Sequence, residues 1–330
     1  MRPLSSVTAA YSLAHFAVDF GCAFAVCSAC AGDSLCFLLY NFCVFALQMP
    51  LGLLADRRGW GLGFACLGGL LVAGMCCLPA FGWTGCLVLG LGNGLFHIGG
   101  GLDVLRLSGR KAAPLGVFVS PGAAGLYLGT LLGKSGFPAL AAAGLVLLCV
   151  LIPAFVCTPS PFPRPRPVRL PPVSVLPQAL LLFLVVVLRS YGGMLAGFSW
   201  KEGILIPLSV AAVVLGKTAG GFACDRLGAR PTAAVSLLPA GLLLALGSAS
   251  PIAGLLGLFL FNMTMPVTLW ALAQRMPGCR AFSFGVLTFG LFLGFLPLYL
   301  GWDSLSGPAL GGIALLSCLL LLPGLGRGEA

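Results

Sequence analysis

The sequence predicts an all-α integral membrane protein of twelve transmembrane helices, arranged as two pseudo-symmetric six-helix bundles. Three observations predict it: scarce charge, a unit repeated at half-chain spacing, and basic residues gathered in alternate loops. Of 330 residues, 59% are hydrophobic and 8% charged. Soluble domains carry roughly 25% charged residues, so too few polar side chains remain here to cover a water-facing surface. The net charge of +10 would suit nucleic acid if it formed one patch, but it does not. Of the 18 Lys and Arg residues, all but Lys134, Lys201, Arg189 and Lys217 fall at Arg2, in alternate loops or at Arg327. That asymmetry is the positive-inside pattern. It predicts a multi-pass protein of the plasma membrane with both termini and the even-numbered loops in the cytosol, and no nucleic-acid partner.

A bilayer core takes about 20 apolar residues per helix. Twelve such runs can be drawn, near 7–30, 35–55, 61–81, 84–104, 112–133, 138–157, 178–199, 204–224, 232–249, 252–273, 281–300 and 307–324. Charges or Pro/Gly breaks separate them. Between the sixth and seventh, residues 159–177 carry Arg164, Arg166 and Arg169 among many prolines. Such a segment is too polar to span and too proline-rich to be helical. It predicts a cytosolic linker between an N-terminal bundle, 1–158, and a C-terminal bundle, 178–330. The first thirty residues end on small side chains, Ser28-Ala29-Cys30-Ala31, as a signal peptide would, but His15 and Asp19 interrupt their apolar region.

The repeat is clearest at two turns. Gly52-Leu53-Leu54-Ala55-Asp56-Arg57-Arg58-Gly59 recurs as Gly221-Phe222-Ala223-Cys224-Asp225-Arg226-Leu227-Gly228, 169 residues later. The same offset maps Asn93 onto Asn262, Arg106 onto Arg275, Gly109 onto Gly278, Gly116 onto Gly285 and Val117 onto Val286. One offset for so many matches argues for two copies of one unit. A sharp turn between membrane helices uses glycine, whose φ can be positive. An acid there suits the positive start of the following helix, and the arginine answers the acid and the anionic lipid surface.

The pattern Gly-x-x-x-Asp-Arg-x-Gly resembles the loop signature of the major facilitator superfamily, a large group of secondary transporters. There it joins helices 2 and 3 and, less strictly, helices 8 and 9, where both copies stand here. The resemblance implies the major facilitator fold, a central substrate site, and a role for Gly52, Asp56, Arg57, Gly59, Gly221, Asp225, Arg226 and Gly228 as conformational latches. Trp60 stands where that family usually has a further basic residue.

Ionisable side chains at membrane depth are costly and usually functional. His15 and Asp19 lie one turn apart on the first run, Asn93 and His97 one turn apart on the fourth. Arg189 lies on the seventh run and Asn262 on the tenth. In the family, helices 1, 4, 7 and 10 line the cavity. That implies Asp19, His15 and His97 for proton coupling and Arg189, Asn93 and Asn262 for substrate binding. A purely structural role, with His15 bonding Asp19 or Asp19 pairing with Arg189, remains the alternative. His15-x-x-x-Asp19 together with Phe96-His97 is similar to the fosmidomycin-resistance branch of that superfamily, whose members are efflux transporters. Gly116-x-x-x-Ser120-Pro121-Gly122-Ala123-Ala124-Gly125 loosely resembles the fifth-helix motif of drug/proton antiporters; packing or a kink explains it equally well.

Other chemistries lack their motifs. Gly133-Lys134-Ser135 and Gly216-Lys217-Thr218 look like the end of a phosphate-binding loop, but Leu128 and Ala211 replace the earlier glycine. No zinc-protease or serine-nucleophile motif is present, so no enzyme activity is expected. Fourteen cysteines are scattered through the apolar runs. Cys27-x-x-Cys30 is the only paired spacing, and it reads as buried thiols; no metal and no cofactor are expected. The sequence therefore predicts a monomeric, proton-coupled secondary transporter of a small organic solute, working by alternating access; efflux is what the resemblance to the fosmidomycin-resistance branch implies, and the direction of transport stays open. An uncoupled uniporter or a non-transporting protein of the same fold is the alternative.

Overall fold

The computed structural model describes residues 4–30, 33–78, 80–157, 167–247 and 249–326. Arg2, Arg164, Arg166, Arg327 and linker positions 159–166 lie outside the described residues. The described chain is helical throughout, and its one isolated β-bridge pairs Ala196 with Leu305. Among the described residues, eleven helices are long and apolar enough to cross a bilayer: α1 (Leu4–Ala29), α2 (Ser34–Arg58), α4 (Trp83–Ser108), α5 (Ala113–Lys134), α6 (Ala139–Val156), α7 (Leu176–Met194), α8 (Leu205–Leu227), α9 (Ala229–Leu246), α10 (Pro251–Arg275), α11 (Arg280–Tyr299) and α12 (Gly307–Gly324). The twelfth, α3 (Gly61–Cys76), has 16 residues. It is shorter than the run 61–81 suggested, about 24 Å at 1.5 Å per residue. The protein is thus a multi-pass membrane protein.

Two compact units emerge. One comprises Met1–Gly109, Val117–Leu170 and Gly278–Phe289; the other comprises Arg110–Gly116, Pro171–Pro277 and Gly290–Ala330. The repeat is visible in their packing. In the first, α3 packs on α4 and α6, α1 on α6, and α2 on α4; in the second, α9 packs on α10 and α12, α7 on α12, and α8 on α10. Each pair recurs six helices later. Residues 176 and 177, drawn with the linker from their prolines, already belong to α7, because proline suits the first turn of a helix.

The α1–α5 contact brings two backbones close together. Gly125, Gly129 and Gly133 lie against the Phe16, Phe20 and Phe24 carbonyls, where any Cβ would collide with backbone. This spacing of small residues lets two helix backbones meet in lipid. In the second unit Gly294, the repeat-equivalent of Gly125, lies in the same way against Val187 and Ser190 of α7.

Three helices are interrupted. α2 carries a π-helical stretch, Phe42–Ala46. α10 breaks between Asn262 and Thr264, because Pro266 has no N–H for the Asn262 carbonyl and crowds it. α5 breaks at Ser120, before Pro121. There the Val117 carbonyl, four residues before the proline, instead accepts from the Ser12 and Ser120 hydroxyls at 3.1 and 3.2 Å.

Candidate functional site

The α5 break matters because the next carbonyl, Phe118, faces α1 and accepts from His15 Nδ1 at 2.7 Å. On α4, His97 Nδ1 is bonded to the Asn93 carbonyl at 2.9 Å. The two imidazoles then meet edge to face, at 84°, with Nε2 atoms 2.8 Å apart. Asp19 lies beneath both, its oxygens 3.2 Å from His15 Nε2 and 3.7 Å from His97 Nε2. Asn93 donates to Asp19 Oδ1 at 3.0 Å and to Cys22 Sγ at 3.3 Å. His15, Asp19 and Asn93 are buried and His97 nearly so. All four belong to the first unit.

The hydrogen bonds decide the protonation of this cluster. A backbone carbonyl can only accept, so both Nδ1 atoms must carry hydrogen. A neutral imidazole has one N–H, so two neutral rings would present bare lone pairs to each other at Nε2. Nitrogens 2.8 Å apart require a proton between them. A cluster holding one added proton between the two histidines would have the Asp19 carboxylate as its counter-charge. In that form it is neutral overall, which matters where an unpaired charge costs about 3 kcal/mol or more. Once the proton leaves, one negative charge remains and the lone pairs repel.

Three features complete this cluster, of which only Gly122 belonged to a motif in the sequence. Gly122, first of the residues after Pro121, stands where a Cβ would run into the Asp19 carboxylate and the His15 ring. The Phe118 carbonyl is backbone and carries no sequence mark. Cys22, one turn beyond Asp19, is seen only through its contact with Asn93. The Asn93 Oδ1 atom is buried and has no hydrogen-bond partner among the described residues.

Arg189 and Asn262, the other cavity candidates, belong to the second unit. The Arg189 guanidinium lies over the Phe261 ring, 5.4 Å from its centroid, and its Nε lacks a partner among the described residues. Asn262 donates to the Leu258 carbonyl of its own helix at 2.8 Å. It sits at the α10 break, unlike its repeat-equivalent Asn93, which reaches another helix.

At the two repeated turns, the last glycine ends the helix with a positive φ, in the left-handed αL conformation at Gly59 and with an extended ψ of 161° at Gly228. Gly59 has φ of 74° and bonds the Ala55 carbonyl at 2.7 Å; Gly228 has φ of 87° and bonds the Cys224 carbonyl at 3.0 Å. The acid is placed otherwise than expected. Asp56 and Asp225 lie in the last turns of α2 and α8 rather than at the starts of the helices that follow. Each nevertheless meets a positive helix end, that of a helix distant in sequence. Asp56 accepts from the Ala281 and Phe282 amides at 3.1 and 2.9 Å, at the start of α11. Asp225 accepts from the Ala112 and Ala113 amides at 2.6 and 3.1 Å, at the start of α5. These pairs are equivalent under the 169-residue offset. The first glycines, Gly52 and Gly221, admit this approach: a Cβ on them would strike the Ala281 and Ala112 carbonyls. Asp56 is buried and Asp225 exposed, while Arg57 and Arg226 are both exposed. The cations that act on Asp56 are Arg106 and Arg280.

No protein-family model matches the sequence, and no curated protein matches it. Solved structures do. The E. coli fucose:proton symporter FucP superposes with a TM-score of 0.67 at 15% identity, over 98% of this chain and 97% of that one. A second structure of FucP, described as a major facilitator superfamily transporter in the outward conformation, gives 0.67 at 14% identity, with 98% of each chain covered. The human organic anion transporter MFSD10 gives 0.66 at 16% identity, over 97% of this chain and 100% of that one. Over nearly its whole length, this chain has the fold of the major facilitator superfamily transporters.

Proposed function

We propose that this protein is a secondary active transporter that moves a small organic solute by alternating access, driven by the proton gradient and directed outward. Bundles 1–158 and 178–330 are the rocking halves, joined by the linker at 159–177. The observation that carries the coupling is the cluster of His15, His97 and Asp19. Its two carbonyl-anchored imidazoles are compatible with their spacing only when a proton lies between them. Loss of that proton drives His15 and His97 apart. Because His15 rides on α1 and His97 on α4, protonation and helix position are linked. Histidine exchanges its proton near neutral pH, where a physiological gradient acts.

Arg189 suits an anionic substrate group: it is a cation held on an aromatic face with a free Nε–H. One protein of the same fold is an organic anion transporter, which is consistent with that class. Asn93 Oδ1, as a buried free acceptor, suits a hydroxyl or amide of the solute. Asn262 completes the set only if it gives up its bond to Leu258.

The test uses purified protein in proteoliposomes. A screen of organic anions by thermal shift at two pH values identifies a ligand. Flux of that ligand is then measured with and without an imposed pH gradient. A coupled exporter accumulates the ligand against its gradient, and substrate addition moves protons in the opposite direction. Flux that only equilibrates, at any pH gradient, identifies an uncoupled uniporter and removes the coupling.

The topology is a separate expectation. Reporter fusions at the N-terminus, at Arg166 and at the C-terminus should all report the cytosol, as the basic-loop asymmetry requires. A C-terminus on the far side would mean an odd number of crossings and end the two-bundle reading.

A further inference from the structure

Three thiols far apart in sequence converge at one end of the first unit. Cys30 follows α1, Cys36 lies in the first turn of α2, and Cys86 in the first turn of α4. All three are buried, and their sulfurs lie within 4.8 Å of one another. Cys30 and Cys86 are 3.4 Å apart. A fourth donor completes the group: Asp33, the exposed N-cap of α2, holds Oδ2 3.2 Å from Cys36 Sγ. Its other oxygen accepts the Leu35 and Cys36 amides at 2.9 and 3.1 Å, which fixes the carboxylate over the thiols.

We propose that Cys30, Cys36, Cys86 and Asp33 form a zinc site that ties together the ends of α1, α2 and α4. Three sulfurs and one carboxylate oxygen are a donor set zinc accepts in a tetrahedron. Bonds of about 2.3 Å would set the sulfurs about 3.8 Å apart, so the observed 3.4 Å and the 4.8 Å limit require only small shifts. Copper(I) would use the thiolates but has little use for a hard carboxylate. Zn²⁺ replaces three thiol protons, which leave to solvent, and changes no oxidation state. Asp33 is exposed above three buried sulfurs, so the ion has an entry path. The site lies apart from the histidine cluster and does not depend on the transport reading. Sequence spacing hid it, because the ligands are 6 and 50 residues apart and neither interval is a zinc-motif spacing.

The experiment uses the full-length protein, purified in detergent through a tag that binds no metal, then reduced and freed of metal. Zn²⁺ content after exposure and removal of excess should be about one per chain. Titration with Co²⁺ should give a thiolate-to-cobalt charge-transfer band that Zn²⁺ removes. Cys77→Ser, an exposed thiol outside the group, should behave as the parent. Cys36→Ser and Asp33→Asn should each weaken binding at least tenfold, and Cys36→Ser with Cys86→Ser should abolish the band. Absence of stoichiometric zinc in the parent overturns the proposal, as does a band that survives the double substitution. A Cys30–Cys86 disulfide in protein isolated without reductant also overturns it. The parent protein decides by itself should Cys86→Ser fail to fold.

Discussion

Asp19→Asn is expected to leave the folded protein able to exchange substrate but unable to accumulate it against a gradient. The physical reason lies in the charge of the cluster. Asp19 is the counter-ion that makes a shared His15–His97 proton tolerable at membrane depth. Asparagine keeps an oxygen for the Asn93 amide but removes the negative charge. The proton between the imidazoles then becomes an unpaired buried cation, costly by several kcal/mol. Substrate exchange does not require that proton to come and go; net accumulation does. The measurement is flux in proteoliposomes with and without an imposed pH gradient. Accumulation at the parent level in Asp19→Asn would remove Asp19 from coupling. Arg189→Ala makes the contrast: it should weaken substrate binding and keep the response to pH, since it leaves the histidine cluster intact.

The second large effect concerns the repeated turns. Asp56→Asn should slow transport while substrate affinity stays within a few-fold, and Asp225→Asn should do the same more weakly. Each carboxylate holds the first two amides of a distant helix. Asparagine offers one oxygen and turns an N–H toward the other amide. Hydrogen bonds to a charged group contribute roughly 1.5–3 kcal/mol, so a loss near 2 kcal/mol shifts the equilibrium between access states by about 30-fold. Asp56 is buried and Asp225 exposed; water replaces the lost bond more readily at Asp225, and that difference sets the order. The carboxylates hold helix-start amides rather than a substrate-binding side chain, so affinity has no reason to follow. If either variant were folded yet bound no substrate at equilibrium, the latch role would be wrong.

The linear sequence determined the class of this protein and its internal symmetry, because both rest on local and periodic properties. Transfer of apolar residues into lipid depends on composition alone, so the runs and their approximate ends follow from hydropathy. A duplicated unit leaves its offset at every position that kept its residue, and Asp56 and Asp225 carried that signal. The one-turn spacings His15–Asp19 and Asn93–His97 were likewise legible, because an α-helix places such pairs on one face.

Only the tertiary structure decided which faces meet. Nothing local says that α4 turns His97 onto His15, or that the Phe118 carbonyl beside the α5 break meets His15 Nδ1. The same holds at the turns. A carboxylate near a helix start was expected, but the helix it caps is over a hundred residues away in both copies. α3 ends at Cys76, five residues before its apolar run does, because hydropathy marks apolar residues and not the backbone hydrogen bonds that end a helix. Long-range contacts are set by how complete helices pack, which hydropathy and spacing do not encode, and the three cysteines that gather from α1, α2 and α4 are a product of that packing.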